Sequence, residues 1–315
     1  MKVIYHYGVG PWLTARLEAL AAEHDLEITA CDEDDDDRLA ELLPDTDVLL
    51  HNLRPVTAEH FRAAPQLKLV QKLGVGVNTI DLEAARAHGV AVCNMPGSNS
   101  RAVMEMTLLL MLSCLRRLPV FDARTRRGEG WGWPAEMQDT LGELAGRTVG
   151  LAGYGSVPRL LAPVLEAMGA RVVYCCRGEK ADAVGTRVDK PTLLAESDIL
   201  SLHMPLTEDT RHWLDREAIA AMKPGAIIVN TARGGLIDED AMVAALTTGH
   251  LMGAGLDVFA EEPTPRDNPL LAMDRVVVAP HVAFFTLGTL ERGLAVVIDN
   301  IGRLRDGREL VHRVV

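Results

Sequence analysis

The stretch GYGSVP, residues 153–158, decides the fold of the central part of the chain. It closes the apolar run TVGLAG (148–153) and opens PRLLAPVLEAMG (158–169), which has the pattern of an amphipathic helix. A glycine turn between a buried strand and a helix is typical of the dinucleotide-binding motif G-x-G-x-x-G. The sequence departs from that motif at one position, because Pro158 stands where the third glycine is expected.

The two remaining glycines are those that serve phosphate binding. Gly153 allows the tight turn, and Gly155 lets backbone N–H groups approach a pyrophosphate at a helix N-terminus, whose dipole favours an anion. The third glycine serves helix packing, and the first helical turn tolerates proline because the missing N–H has no intrahelical partner there. The alternative is an ordinary turn without a ligand. The residues predicted to bind the cofactor here are Gly153, Tyr154, Gly155, Ser156 and Val157.

The end of the next strand indicates which dinucleotide is bound. NAD-binding proteins carry an Asp or Glu about twenty residues after the turn, which accepts hydrogen bonds from the ribose. Here the strand ends in Cys175, Cys176 and Arg177, so the acid is missing and a cation follows. A neutral Cys176 beside Arg177 permits a charge-assisted bond to a 2′-phosphate. We therefore predict NADP ahead of NAD, with Lys180 as a second cation; the alternative is that Arg177 lies on a solvated loop.

Short apolar runs alternate with helix-length segments along most of the chain, a rhythm typical of parallel α/β sheets. One series ends near residue 95, and a second begins at Thr148. Between them, the apolar segment Arg101–Leu118 predicts a buried linking or interface helix. Because single cores stop growing at roughly 250 to 300 residues, we expect two domains. The predicted fold class is α/β, with two Rossmann-like doubly wound parallel sheets.

The composition excludes several classes of function. A formal net charge of −12 argues against nucleic-acid and anionic-membrane binding, so small molecules are the expected partners. The acidic run Asp32–Asp37 is typical of a solvated loop or a helix start, and no metal site is predicted. Five scattered cysteines, a polar N-terminus and the lack of long apolar runs favour a cytoplasmic protein with reduced thiols.

Three late segments carry candidate catalytic side chains. They are VNTARGGLID (229–238), GLDVFAEEP (255–263) and APHVAFFT (279–286), and each directly follows a strand-like run. Ligands of α/β sheets bind at the carboxyl ends of the strands, so an arginine, a glutamate and a histidine are expected to meet at one crevice. Taken singly, each has a plainer interpretation as a core histidine, a loop cation or a solvated acid.

Together with KLGVGVNTIDLEAARAHGVAVCNMPGSNSRAVMEM (72–106) and HMPLTEDT (203–210), these segments resemble the D-isomer-specific 2-hydroxyacid dehydrogenase family over nearly the whole chain. The resemblance implies that Arg233, Glu262 and His281 form the catalytic site. In reduction of a 2-keto acid, His281 donates the proton and Arg233 holds the carboxylate and polarises the carbonyl. Glu262, chosen over Glu261 because it precedes Pro263, orients the imidazole and favours its protonated form.

The same resemblance implies further contacts. Val75 and Gly76 match a loop whose backbone N–H groups bind the substrate carboxylate. His51 and Asn52 stand where phosphoglycerate-type relatives carry an Arg-Ser pair near the substrate, so recognition of a phosphate by that arginine is not expected. The tail aromatics Phe284 and Phe285 are expected to line the pocket. Further cofactor contacts fall on Thr231, Ala232 and Asp257 at the nicotinamide and on His203, Pro205 and Thr207 on the adenosine side.

The family architecture predicts a discontinuous substrate domain, residues 1–98 plus 284–315, and a dinucleotide-binding domain, residues 99–283. Members are usually homodimers, and no added C-terminal regulatory domain is expected after the returning helix. We expect an NADPH-preferring reductase of a small 2-keto acid such as glyoxylate or hydroxypyruvate. The alternatives are a dinucleotide-sensing, corepressor-like binding protein without catalysis, and a formate or phosphonate dehydrogenase of the same family.

Overall fold

The computed structural model describes all 315 residues and divides into two compact units. Unit 1 comprises Met1–Asn99 and Thr286–Val315, and unit 2 comprises Ser100–Phe285. Each unit is built around one parallel sheet, of five strands in unit 1 and seven in unit 2. The predicted α/β class with two Rossmann-like sheets is therefore confirmed.

The N-terminal part of unit 1 alternates strands and helices. Its strand order is β2-β1-β3-β4-β5, with every neighbouring pair parallel. The sequence pattern did not predict β2, because its residues EITAC mix polar and apolar side chains at the edge of the sheet. The elements are β1 (Lys2–His6), α1 (Pro11–His24), β2 (Glu27–Cys31), α2 (Asp36–Leu42), β3 (Val48–His51), α3 (Ala58–Ala63), β4 (Leu69–Lys72), α4 (Leu82–Ala87) and β5 (Ala91–Cys93).

Unit 2 repeats this alternation, and the chain then returns to unit 1 through its last helix. The elements of unit 2 are α5 (Ser100–Arg116), α6 (Leu118–Arg126), β6 (Thr148–Ala152), α7 (Ser156–Ala167), β7 (Arg171–Cys175), β8 (Thr186–Arg187), α8 (Lys190–Glu196), β9 (Ile199–Leu202), α9 (Arg216–Ala220), β10 (Ala226–Asn230), α10 (Glu239–Thr248), β11 (Leu251–Leu256) and β12 (Val276–Val278). The returning helix is α11 (Leu287–Arg305).

The strand order of unit 2, β12-β11-β10-β9-β6-β7-β8, places a switch point between β6 and β9. From β6 the chain first extends the sheet through β7 and then returns to build the other side from β9. Ligands of open α/β sheets bind at such a point, beyond the carboxyl ends of the strands. The glycine turn that follows β6 lies at this position.

Both sheets are covered on their two faces. In β1, Val3 and Tyr5 pack in the cluster that contains α1 and α11, whereas Ile4 packs with Phe61 of α3. In unit 2, one cluster joins the sheet to α5 and α7, and a second joins it to α8, α9 and α10. Strands buried on both faces explain why the sequence shows continuous apolar runs.

The long apolar helix predicted over Arg101–Leu118 is interrupted near its end. Helix α5 stops at Arg116, because Arg117 adopts a left-handed conformation with φ 47° and Pro119 lies in the first turn of α6. A proline in a helix interior removes a hydrogen bond and clashes with the preceding turn, so a new helix begins. None of the helices combines the length and the apolar character that crossing a bilayer requires.

The acidic run of unit 1 forms a helix start. Asp35 caps α2 by accepting a hydrogen bond from the Arg38 N–H. Arg54 pairs with Asp34 at 2.7 Å and with Asp36 at 2.9 Å, so part of the negative charge is compensated locally. The structure brings together no group of three or more His, Cys, Asp or Glu side chains that could hold a metal ion.

Candidate active site

The glycine turn after β6 has the geometry of a phosphate cradle. Gly153 has φ 100°, and a Cβ at this position would lie 2.5 Å from the His203 carbonyl oxygen, so only glycine is accommodated. Gly155 precedes α7, and no atom lies within 4 Å of the point where its Cβ would be. Open space beside a helix N-terminus is what a pyrophosphate requires, so the turn fits the dinucleotide that the motif indicates.

Pro158 occupies the third position of α7, which begins at Ser156. The first N–H groups of a helix have no intrahelical carbonyl to bind, so a proline here removes no intrahelical hydrogen bond. The N–H groups of Ser156 and Val157, the first two of α7, likewise have no intrahelical acceptor. The Ser100 hydroxyl also donates to the Ser156 hydroxyl at 2.8 Å, which fixes the start of the helix.

The end of β7 carries cations and no acid. Arg177 is exposed and makes no side-chain hydrogen bond or ion pair. Arg187 of the adjacent β8 donates to the Cys176 carbonyl oxygen at 3.3 Å, so a second guanidinium lies at this end of the strand. Sequence reasoning missed Arg187, because a two-residue strand leaves no periodic signal.

The residues after β9 are held by local hydrogen bonds. His203 Nε2 lies 2.9 Å from the Ser201 hydroxyl, and burial lowers the pKa of His203 to about 3, so the ring is neutral. The Pro205 carbonyl oxygen accepts from Thr210, and Thr207 caps the short 3-10 turn Glu208–Thr210. Their contact with the adenosine side of a cofactor stays a prediction.

The loop after β10 fixes the backbone around Arg233. Asn230 Nδ2 donates to the Arg233 carbonyl oxygen at 2.8 Å, and its Oδ1 accepts from the Ala232 N–H at 3.0 Å. The guanidinium of Arg233 donates to the Ala232 carbonyl oxygen at 2.7 Å. The hydroxyl of Thr231 lies 2.9 Å from that of Thr107 on α5. The predicted cofactor contacts at Thr231 and Ala232 therefore lie on a rigid turn.

Two of the loops that carry candidate catalytic residues approach each other closely at Gly234. A Cβ on Gly234 would overlap the Phe259 carbonyl group, so this position requires glycine. The Phe259 N–H donates to Glu262 Oε1 at 2.9 Å and holds the carboxylate in place. Burial lowers the pKa of the Arg233 guanidinium, and the negative charge of Glu262 opposes this shift. The two groups therefore interact electrostatically.

His281 and Glu262 form the hydrogen-bonded pair expected of an acid–base site. His281 Nδ1 lies 2.7 Å from Glu262 Oε2, which leaves Nε2 available to a reacting group. Burial raises the pKa of the Glu262 carboxyl, but the hydrogen bonds from His281 and Phe259 and the charges of His281 and Arg233 lower it overall. The carboxylate is therefore ionised at neutral pH, and it orients the imidazole.

Asp257 supports the backbone of this pair. Its carboxylate, 1% exposed, accepts hydrogen bonds from the N–H groups of Val282 at 2.9 Å and Ala283 at 3.0 Å. The His281 N–H donates to the Asp257 carbonyl oxygen at 2.7 Å, and His281 has φ 55°, a left-handed conformation that is uncommon for residues other than glycine. Burial raises the pKa of the Asp257 carboxyl, and the two N–H groups oppose this. A contact with nicotinamide stays a prediction.

Two aromatic side chains follow the histidine. Phe284 lies edge-on to the His281 ring, with the ring centroids 6.4 Å apart, and Phe285 packs edge-on to Phe284 at 5.9 Å. Phe285 is 46% exposed. Apolar aromatic surface therefore lies next to His281.

In unit 1, the loop after β4 presents backbone donors. The N–H groups of Gly74, Val75 and Gly76 make no hydrogen bond within the protein, and the Val75 side chain is 45% exposed. Asn94 Nδ2 donates to the Val75 carbonyl oxygen at 2.9 Å and fixes the loop. Successive unpaired N–H groups form a concavity that suits an anion such as a carboxylate.

His51 and Asn52 lie below this loop and are buried. His51 Nε2 lies 2.9 Å from the Thr79 hydroxyl, and burial lowers the pKa of His51 to about 2, so the ring carries no charge. Lys72 donates to the Asn52 carbonyl oxygen. Only His51 makes its contact through the side chain, since Asn52 accepts through its backbone carbonyl, and direct contact of either residue with a substrate stays a prediction.

Comparison with known proteins identifies the family. Residues 108–283 match the model described as D-isomer specific 2-hydroxyacid dehydrogenase, NAD binding domain. The chain is 38% identical over 275 residues to a hydroxypyruvate reductase of Thermotoga maritima, covering 85% of this chain and 88% of the relative. It is 37% identical over 277 residues to a glyoxylate reductase of Korarchaeum cryptofilum, covering 85% and 82%.

Longer relatives and solved structures give the same result. The chain is 39% identical over 281 residues to the D-3-phosphoglycerate dehydrogenase of Mycobacterium tuberculosis, covering 88% of this chain but only 52% of that protein. The chain thus spans about half the length of these relatives. The TT0316 protein of Thermus thermophilus superposes over 100% of both chains with a TM-score of 0.90 and 36% identity. An acyclic imino acid reductase in complex with NADPH and D-Arg superposes with a TM-score of 0.84 and 25% identity over 100% of both chains.

The chain belongs to the D-isomer specific 2-hydroxyacid dehydrogenase family. The family model covers more than half of the chain, and relatives above 30% identity cover most of it. The resemblance stated from the sequence motifs is therefore confirmed.

Proposed function

We propose that this protein is an NADPH-preferring reductase of a small 2-keto acid, such as glyoxylate or hydroxypyruvate. The observation that carries the proposal is the 2.7 Å hydrogen bond between His281 Nδ1 and Glu262 Oε2, next to a loop that fixes Arg233. An imidazole held by a carboxylate, close to a half-buried guanidinium, supplies a proton donor and a fixed positive charge.

Three residues of unit 2 have separate roles in the proposed reaction. The nicotinamide supplies or receives the hydride when the cofactor is bound. In reduction, His281 Nε2 gives its proton to the oxygen of the substrate carbonyl, on which negative charge develops. Arg233 polarises that carbonyl and holds the carboxylate. Glu262 keeps Nδ1 protonated, so that Nε2 is the nitrogen that donates in reduction and accepts in oxidation.

The carboxylate of the substrate also needs hydrogen-bond donors. The unpaired N–H groups of Val75 and Gly76 in unit 1 support this role, because backbone donors recognise an anion without a second cation. Burial keeps His51 neutral, and no arginine follows β3 directly. A substrate without a phosphate group is therefore favoured over the phosphorylated acid named in the D-3-phosphoglycerate dehydrogenases.

The preference for NADPH rests on the end of β7. The strand ends without an acid, Arg177 is exposed and unpaired, and Arg187 lies beside Cys176. A carboxylate at this position repels a 2′-phosphate, whereas two guanidinium groups attract it and form charge-assisted hydrogen bonds. The similar imino acid reductase solved with NADPH supports this choice for a member of the same fold.

A homodimer is part of the proposal. Leu109 of α5 and Leu118 of α6 expose about half of their surfaces, 52% and 55%, and Trp131 exposes 94%. Large apolar side chains gathered on one segment indicate a surface that another protein covers. A measured mass of one chain in sedimentation velocity at micromolar concentration would contradict this part.

A panel of 2-keto acids assayed with NADH and NADPH in parallel tests the proposal. The panel contains glyoxylate, hydroxypyruvate, pyruvate and a longer branched acid. We expect turnover with one of the small acids and a several-fold higher kcat/KM with NADPH. A several-fold preference for NADH refutes the cofactor assignment and leaves the family unaffected. Cofactor binding without turnover of any acid supports a dinucleotide-sensing protein instead.

A further inference from the structure

The side chain within the glycine turn links two parts of the cofactor site that are distant along the chain. One part is the turn at Gly153–Gly155, and the other is the segment of residues 177–185, which carries Arg177. This 177–185 segment contains no helix or strand, and a glycine with positive φ lies near each end, Gly178 at 70° and Gly185 at 97°. A segment of this kind needs contacts from elsewhere to hold one position.

Tyr154 supplies those contacts. Its hydroxyl donates to the Val184 carbonyl oxygen at 3.0 Å and accepts from the Val184 N–H at 2.8 Å, so both polar groups of one residue are bound by one side chain. The Tyr154 ring packs against Tyr174 of β7, with centroids 4.3 Å apart, and the side chain is only 4% exposed. We call this pair of hydrogen bonds the Tyr154 tether.

A second contact reinforces the tether from helix α7. The guanidinium of Arg159 lies over the Tyr154 ring, 6.0 Å from its centroid, and forms an ion pair with Asp182 of the 177–185 segment. This ion pair also lowers the pKa of Asp182 and compensates its charge. Without Arg159, an uncompensated carboxylate in this segment would oppose the binding of a phosphate.

We propose that Tyr154 is a positioning residue for cofactor selectivity: it holds the 177–185 segment against the glycine turn, so that Arg177 meets the 2′-phosphate of NADPH while the turn binds the pyrophosphate. The inference rests on the NADPH preference of the proposed function. It assigns to the tyrosine of GYGSVP a role that its place in the motif does not imply, since Tyr154 acts through the segment and not through the phosphates.

Tyr154→Phe tests the inference, because it keeps the ring and removes both hydrogen bonds. Dissociation constants for NADPH and NADH are measured by fluorescence titration, and the exchange of the Val184 amide is followed by hydrogen–deuterium exchange. We expect the NADPH Kd to rise about tenfold, the NADH Kd to change less than about twofold, and Val184 to exchange about tenfold faster. Tyr174→Phe is the matched control, because it keeps the tether and should change none of these values.

A second variant guards against a folding defect. Arg159→Gln removes the ion pair with Asp182 and keeps Tyr154, so we expect a smaller rise of the NADPH Kd, about threefold, in the same direction. Equal weakening of both cofactors by Tyr154→Phe would overturn the inference, because it would mean that the tyrosine supports the whole turn. Unchanged Val184 exchange would overturn it as well.

The proposed function can fail separately. A wild-type protein that binds NADH more tightly than NADPH refutes the NADPH preference before any variant is made. In that case, the proposed role of Tyr154 in cofactor selectivity is refuted together with the NADPH preference. The exchange rate of the Val184 amide then shows only whether the tether holds the segment.

Discussion

The two ends of the site in unit 2 are organised in opposite ways. At the ends of β10, β11 and β12, the groups around His281 and Glu262 are bound to one another or to the backbone. At the end of β7, Arg177 has no partner and lies on a segment held mainly by contacts from other parts of the unit. The end around His281 and Glu262 is fixed before any ligand binds, and we call it the fixed end. The end of β7 keeps a free cation, and we call it the open end.

The proposed function gives a physical reason for this difference. A proton donor and a polarising charge are effective only when their geometry is fixed in advance, since reorganisation during the reaction raises the barrier. A cation that binds a phosphate needs N–H donors that are not already paired. When it is exposed, water solvates it, so leaving it unpaired costs little free energy. Substitutions at the first end should therefore change kcat, and substitutions at the second end should change cofactor affinity.

The largest effect is expected at the fixed end, from His281→Ala. The variant removes the proton donor, so kcat should fall by about 10²- to 10⁴-fold, the range for a lost general acid. The cofactor Kd should stay within about twofold of wild type, because the glycine turn is not changed. Steady-state kinetics with the best substrate of the panel measure the first quantity, and fluorescence titration measures the second. Unchanged turnover would refute the catalytic assignment.

Glu262→Gln should have the next largest effect. It keeps a hydrogen bond to His281 but removes the charge and no longer enforces protonation of Nδ1, so kcat should fall about 10- to 100-fold. Glu261→Gln is the matched control. Glu261 is exposed, and its side chain makes no hydrogen bond, so kcat should stay within about twofold. A larger loss in the control than in Glu262→Gln would reverse the choice between the two glutamates.

Arg177→Ala tests the open end. Losing a charge-assisted bond to the 2′-phosphate should raise the NADPH Kd about 10- to 50-fold and leave the NADH Kd within about twofold. The kcat at saturating cofactor should stay close to wild type, in contrast to the variants at His281 and Glu262. Equal Kd changes for both cofactors would show that Arg177 does not distinguish them.

A smaller effect at the fixed end is expected in the contribution of Glu262 to the stability of the folded protein, which depends on pH. The pKa of Glu262 in the folded protein lies below its ordinary value of 4.5. Its stabilising contribution is therefore complete above pH 4.5 and is lost as the pH falls through the lower folded value. The Tm difference between wild type and Glu262→Gln should shrink by about 1–2 °C between pH 4.5 and pH 3, a small effect because solvent screens this partly exposed pair. A constant difference down to pH 3 would contradict this.

The two ends also differ in how far the sequence predicted them. Arg233, Glu262 and His281 stand in segments that directly follow buried strands, so their meeting at one sheet edge follows from the topology. The contacts at the open end could not be predicted in this way. Arg187 approaches Cys176 through a two-residue strand, and Tyr154 reaches Val184, which lies 30 residues further along the chain in a segment without helix or strand. Such contacts depend on tertiary packing, which leaves no local pattern.

The smallest effect is expected from Pro158→Gly, which restores the third glycine of the motif in the turn that joins the two ends. Pro158 is buried in the first turn of α7, where it removes no intrahelical hydrogen bond, and the space beside Gly155 is open. The Kd values for NADPH and NADH should therefore stay within about threefold of wild type, with Pro158→Ala as the control for helix propensity. A large tightening for both cofactors would show that the proline displaces the helix and impairs the phosphate cradle. The difference between the two ends would then reflect a damaged turn and not a division of roles.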